Sequence, residues 1–171
     1  KNLKLDLVPA GVFQHNVSRE IFYNIPRGDR ENGWILTAPH RDMERLKEVA
    51  RGKENFRNVI RLCKRIRDTY NFDVSSFAIE SAIVVEYADG NYWYNDLYKD
   101  FKGALKTLIK AFRGGVIPDP FDNQNNLIAG VERVGWYADR LEKIVDGMDE
   151  CADGERQGEV RERIYGLLEK Q

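Results

Sequence analysis

Several things are scarce in this 171-residue chain, and each scarcity excludes something. It has two cysteines, Cys63 and Cys151, neither in a CxxC pair. A disulfide framework is therefore not expected, and the usage fits a reducing compartment. Its two histidines, His15 and His40, have no Cys or His partner at zinc-ligand spacing, which argues against a structural zinc site. No apolar run approaches the roughly 20 residues needed to cross a bilayer, so no membrane partner is expected, and the start of the chain alternates rather than forming the apolar block of a signal peptide. These readings together predict a cytoplasmic location. Net charge is also nearly absent, at -1, so the chain as a whole gives no electrostatic reason to seek nucleic acid or membrane.

The charge that is present is unevenly spread. Residues 41–70 carry ten Lys/Arg against five Asp/Glu, and residues 139–171 carry six against ten. The ordinary meaning of the basic run is a solvated helix face, and a local basic surface is the alternative. At 42% hydrophobic residues the chain has enough to bury one core.

Hydrophobic periodicity divides the chain unequally. Leu3, Leu5 and Leu7 alternate with Lys4, Asp6 and Val8, a short strand ended by Pro9. Val12–Phe13 and Glu20–Ile25 are two further short strands, and residues 27–33 form a polar turn-rich loop. Beyond that loop every pattern is helical. Helices are predicted over about 39–51, 54–70, from Ser75 or Ser76 onward, 95–112, 127–150 and 156–169. Gly114–Gly115 ends the fourth, and a Pro/Asp/Asn-rich connector, 116–126, follows it. The fold expected is mainly α: residues 1–38 supply a few strands and residues 39–171 a helical bundle.

Three places carry side chains suited to chemistry. Asp6 sits in an apolar strand, where a carboxylate is costly unless it is exposed, paired or bound to a metal. Lys64 lies at the edge of the apolar stripe of the second helix, with Arg57 and Arg61 on the same flank. It reads either as a snorkelling lysine or as an ammonium presented to a cleft. Arg67 falls inside that stripe, with no partner evident from the sequence. Ser75-Ser76-Phe77 opens the third helix; a helix start binds phosphate readily and an aromatic beside it can stack on a base, although a plain N-cap with a core Phe is the commoner arrangement.

Taken in order, Asp6-Leu7-Val8-Pro9-Ala10, Trp34, Pro39-His40, Lys64, Ser75-Ser76-Phe77 and Asp119-Pro120-Phe121-Asp122 with Asn126 resemble one superfamily of nucleotidyltransferases. It is the group of oligoadenylate synthases, cyclic GMP-AMP synthase and bacterial cyclic-oligonucleotide synthases. The resemblance runs from Asp6 to about Ala129. It implies an enzyme that joins nucleoside triphosphates into a linear or cyclic signalling oligonucleotide in antiviral or anti-phage defence, with Mg²⁺ or Mn²⁺ as cofactor and a protein or nucleic acid as activator. By resemblance Asp6 is the third metal-binding carboxylate, Lys64 and Ser76 contact the donor triphosphate beside Ser75, and Phe77 stacks on the donor base. The 119–126 segment corresponds to an architectural connector, with Asn123 where the family has a second Pro.

The family's Gly-Ser turn and first two carboxylates would precede Asp6, and only five residues do. The strands of 1–38 are therefore expected to be the end of an α/β catalytic core, and the full protein an α+β one. The chain alone is expected to be inactive without that N-terminal catalytic segment. The alternatives are a catalytically inactive nucleotide- or RNA-binding sensor of the same fold and a tailing polymerase-type nucleotidyltransferase.

Overall fold

The computed structural model describes residues 9–14, 16, 21–26, 34–88, 90, 92–120, 125–150, 158–160 and 162. Asp6 and its strand, the 27–33 loop, Phe121–Asn123, Cys151 and most of the expected helix 156–169 lie outside them. The protein is mainly helical with one small sheet. It divides into two compact units, residues 1–46 and 47–171.

In the first unit, β1 (Gly11–Gln14), β2 (Ile21–Pro26) and β3 (Trp34–Thr37) form an antiparallel sheet in the order β1-β2-β3. The register pairs Gly11 with Asn24 and Tyr23 with Thr37. β3 corrects the expectation that the chain is helical throughout after residue 33. Trp34-Ile35-Leu36-Thr37 is too short an apolar run for periodicity to type it; pairing with β2 decides. α1 (Pro39–Val49) follows, opened by Pro39 at a position where its missing N–H costs nothing. The Arg41 guanidinium lies over the Phe22 ring at 5.8 Å.

The second unit is a bundle of α2 (Phe56–Thr69), α3 (Ser76–Ala88), α4 (Leu97–Gly114) and α5 (Val134–Glu150). α3 is apolar nearly all round and buries Ala78, Ile79, Ala82, Ile83, Val84 and Tyr87, which makes it the innermost helix. α4 presses closely on it: a Cβ at Gly103 would meet the Tyr87 hydroxyl at 2.7 Å. Burial and the nearby Asp100 charge push the Tyr87 hydroxyl up to about 12. α5 packs along α4, where Tyr98 donates to the Met148 carbonyl and Arg113 holds both Asp139 (2.5 Å) and Glu142 (2.8 Å).

α5 starts seven residues later than the periodicity of 127–150 predicts. Leu127 and Ile128 belong instead to the connector, with the Leu127 N–H on the Ile117 carbonyl at 2.8 Å, and Gly130 and Arg133 take positive φ (73° and 66°), which no helix tolerates.

α2 ends in a Schellman turn. Asn71 takes φ 51°, the Phe72 N–H reaches the Arg67 carbonyl at 2.9 Å and the Asn71 N–H reaches that of Asp68 at 3.3 Å. α4 ends likewise at Gly115 (φ 67°). The start of α4 is set by carboxylates. Asp96 accepts from the N–H groups of Tyr98 (3.0 Å) and Lys99 (3.1 Å). Asp100, 1% exposed, accepts from those of Tyr94 (2.8 Å) and Asp96 (2.9 Å), one on each oxygen. Burial raises the Asp100 carboxyl above the usual carboxylate range, against the lowering by these backbone donors.

Asp100→Asn keeps the volume but turns an NH₂ toward one of two buried N–H donors. A loss of about 1–3 kcal/mol is expected in urea denaturation at neutral pH. Because the folded carboxyl is raised, its stabilising contribution is greatest below the unfolded carboxyl range and falls as pH rises through the folded value. The gap between wild type and Asp100→Asn should therefore narrow with rising pH, and a gap that widens would show the backbone donors outweighing burial.

Candidate functional site

Of the residues singled out in the sequence, Lys64 and Ser76 lie on α2 and α3, which run side by side in a seam, while Asp6 lies outside the described residues. α2 buries Phe56, Val59, Ile60, Leu62 and Cys63. That stripe leaves Lys64 and Arg67, three residues apart on one face, at its half-buried edge. On α3, Ser76 and Glu80 are four apart on one face. The helices bring these faces together antiparallel: the Lys64 ammonium pairs with Glu80, and Arg67 Nη1 donates to Ser76 Oγ at 2.5 Å.

Each candidate among the described residues has a definite place. Ser75 is the N-cap of α3, its Oγ accepting from the Ala78 N–H at 3.0 Å. The commoner arrangement thus holds for its lone pair. Ser76 is exposed at the helix start, and Phe77 is half-buried rather than sealed in the core. Lys64 is a snorkelling lysine whose stem lies along the core edge and whose ammonium is satisfied by a carboxylate 16 residues on. At 27% and 23% side-chain exposure such a pair is open to exchange with solvent and contributes little to stability.

Arg67 finds here the partners its sequence position concealed. Besides Ser76 it reaches the Val74 carbonyl at 3.4 Å, and its Nε holds Asp68 Oδ1 at 2.8 Å. Arg67 and Glu80 are the members of the seam that the sequence reading left without a role. The signal was the shared spacing, Lys64 with Arg67 and Ser76 with Glu80, but nothing in the sequence shows which helix faces touch. Cys63, next to Lys64 in sequence, is fully buried, and burial pushes its thiol far up, so it is no nucleophile.

Aromatic packing fixes the turn that orients the seam. Phe72 stacks on Tyr137 of α5 (4.5 Å, 23°) and meets Phe112 edge-on at 6.4 Å. The Tyr137 hydroxyl accepts from the Asp73 N–H at 3.0 Å. Ser75 and Ser76 are therefore held from both sides of the turn.

The described ends of the 116–126 connector are tied together by side-chain hydrogen bonds. Asn126 Oδ1 accepts from the N–H groups of Ile117 (3.0 Å) and Ile128 (3.2 Å), and its Nδ2 donates to the Gly115 carbonyl at 2.9 Å. Asp119, buried, accepts from Asn125 Nδ2 at 3.0 Å. Among the described residues no group of three or more His, Cys, Asp or Glu is placed to hold a metal ion. No helix among them is long and apolar enough to cross a membrane. Compared with known proteins, the chain matches no protein-family model and no curated protein.

Asn126→Ala leaves two backbone N–H groups and a carbonyl without their partner. A loss of about 2–3 kcal/mol is expected in chemical denaturation. An effect within about 0.5 kcal/mol, the range of ordinary surface changes, would remove the connector from the architecture.

Proposed function

We propose that this chain is the helical part of a metal-dependent nucleotidyltransferase that joins nucleoside triphosphates into a linear or cyclic signalling oligonucleotide, acting in the cytoplasm in antiviral or anti-phage defence. The observation that carries the reading is the seam. Lys64 and Ser76, which the ordered motifs assign to one triphosphate, stand on facing helices, bridged by the Lys64–Glu80 and Arg67–Ser76 pairs.

Phosphoryl transfer depends on positioning and charge neutralisation more than on covalent chemistry by the protein. The seam offers an ammonium at Lys64, a guanidinium at Arg67 and a hydroxyl at Ser76, and Ser75 and the half-buried Phe77 flank Ser76 at the start of α3. Ser75 Oγ uses a lone pair on the Ala78 N–H and keeps its proton to donate. A triphosphate entering the seam takes Lys64 from Glu80, exchanging one carboxylate for a more highly charged partner. Glu80 thereby acts as a placeholder that pairs the ammonium until a phosphate takes it. Phe77 presents a face for a base, a contact tolerant of base identity.

In this reading Asp6, with the family's first two carboxylates, would hold Mg²⁺ or Mn²⁺, which would supply the charge that activates the attacking hydroxyl and stabilises the leaving pyrophosphate. Asp6 lies outside the described residues.

Binding tests the seam directly. In calorimetry with ATP, Lys64→Ala should lose about tenfold to hundredfold in affinity, since a charge-assisted contact is worth about 1.5–3 kcal/mol. Ser76→Ala should lose less. Glu80→Gln, which releases Lys64 without removing it, should bind ATP more tightly than wild type. Unchanged affinity in Lys64→Ala would overturn the reading. For chemistry, a protein carrying this chain with its upstream carboxylates is incubated with the four NTPs and Mg²⁺. Asp6→Asn should abolish the phosphatase-resistant products. Nucleotide binding through Lys64 without product from wild type would replace the enzyme with a nucleotide- or RNA-binding sensor of the same fold.

A further inference from the structure

The basic run over 41–70 supplies more cations than the seam uses. Between the end of α1 and the start of α2 the chain lines an open cavity of about 550 Å³. Lys47, Arg51, Lys53 and Arg57 line it together with the amides of Asn55 and Asn58, and no carboxylate does. Lys53 Nζ donates to the Val49 carbonyl at 2.7 Å, which holds its charge at the cavity wall. Lys47, Arg51 and Arg57 are exposed, and none of them forms an ion pair with a described residue. Glu48 and Glu54 are close in sequence but do not line the cavity.

Four like charges gathered around one concavity repel one another, and an anion between them offsets that repulsion. A simple solvated helix face would spread such charges and interleave them with carboxylates, as α4 and α5 do around Arg113. The volume is that of a small-ligand site. Asn55, at φ 60°, leaves the start of α2 without a side-chain cap and accepts instead from Asn58 Nδ2 at 3.2 Å, so the positive end of the helix dipole adds to the same field.

The neighbouring turn is tied to the cavity's loop by hydrogen bonds. The Glu54 N–H donates to Asn95 Oδ1 at 2.9 Å, and Trp93 Nε1 donates to the Glu54 carbonyl at 2.9 Å. Asp100 fixes the same turn from below. That turn, tied to Glu54 between the lining residues Lys53 and Asn55, exposes Tyr92 at 73% and Tyr94 at 56%, whose rings pack edge to face at 4.7 Å.

We propose that this cavity is a phosphate-binding site, separate from the α2–α3 seam, that takes the phosphate groups of a ligand through Lys47, Arg51, Lys53 and Arg57. The phosphates come from a single-stranded nucleic acid, whose bases then meet Tyr92 and Tyr94, or from a free polyphosphate. The two sources separate in one experiment.

Two probes are titrated into the 171-residue chain, inorganic tripolyphosphate by calorimetry and a short fluorescent oligouridylate by anisotropy. Both are measured with and without Arg51→Ala/Arg57→Ala, in wild type and in Lys64→Ala. The double substitution should weaken binding of at least one probe about tenfold or more in both backgrounds, at about 1.5–3 kcal/mol per charged contact. If the oligonucleotide is the ligand, the log–log salt slope falls by about 1.4 and Tyr94→Ala weakens it further. Loss confined to tripolyphosphate assigns the site to a free polyphosphate. Lys47→Ala, at the end of α1, should weaken the same probe, and an unchanged melting temperature separates lost charge from lost fold. Neither probe weakened by Arg51→Ala/Arg57→Ala in the Lys64→Ala background would overturn the proposal.

Discussion

Asn71 sits in the left-handed region at the end of α2, and the reversal it permits places everything that follows. It gives the Schellman pairing of Phe72 to Arg67 and Asn71 to Asp68, which turns the chain back within a few residues. Asn tolerates this conformation because its short polar side chain carries a smaller steric cost there than a branched one. Phe72 then enters the core against Tyr137 and Phe112, and the Tyr137 hydroxyl takes the Asp73 N–H. The turn is thus held by backbone pairing on one side and aromatic packing on the other. Ser75 caps α3 at a position set by that packing, and Ser76 falls opposite Arg67.

The seam combines two properties that often conflict. Its backbone is rigid, because α3 is buried on nearly all sides and α4 packs closely at Gly103. Its charged side chains are half-exposed and paired only weakly with each other. A rigid frame with exchangeable polar contacts suits the reception of an anion: little backbone entropy is lost on binding, and each cation already has a carboxylate or hydroxyl to leave. The cavity before α2 differs in having cations without carboxylates in its lining. The two places draw on the same basic run, one from the flank of α2 and one from its start.

Much of the helical architecture was legible in the sequence. The i, i+3, i+4 spacing of Phe56, Val59, Ile60 and Cys63 gave α2 its buried face, and Gly114–Gly115 marked the end of α4 to the residue pair. The misreadings have physical causes. β3 is four residues long and exists by pairing with β2, which no local period reports. α5 starts later than its periodicity suggests because Leu127 and Ile128 match a helical stripe but are drawn into the connector by Asn126 and Ile117.

The side chains of the candidate site divide along the same line. Sequence by itself determined that Lys64 lies at the edge of an apolar stripe, that Ser75-Ser76 opens a helix, and that the basic residues concentrate over 41–70, because these follow from local periodicity and composition. Only the tertiary structure decided that Lys64 meets Glu80, that Arg67 meets Ser76, and that Lys47, Arg51, Lys53 and Arg57 line one cavity. Periodicity fixes which face of a helix is apolar, but not its neighbour or its register; those depend on how the turn at Asn71 and the aromatic contacts of Phe72 set one helix against the next.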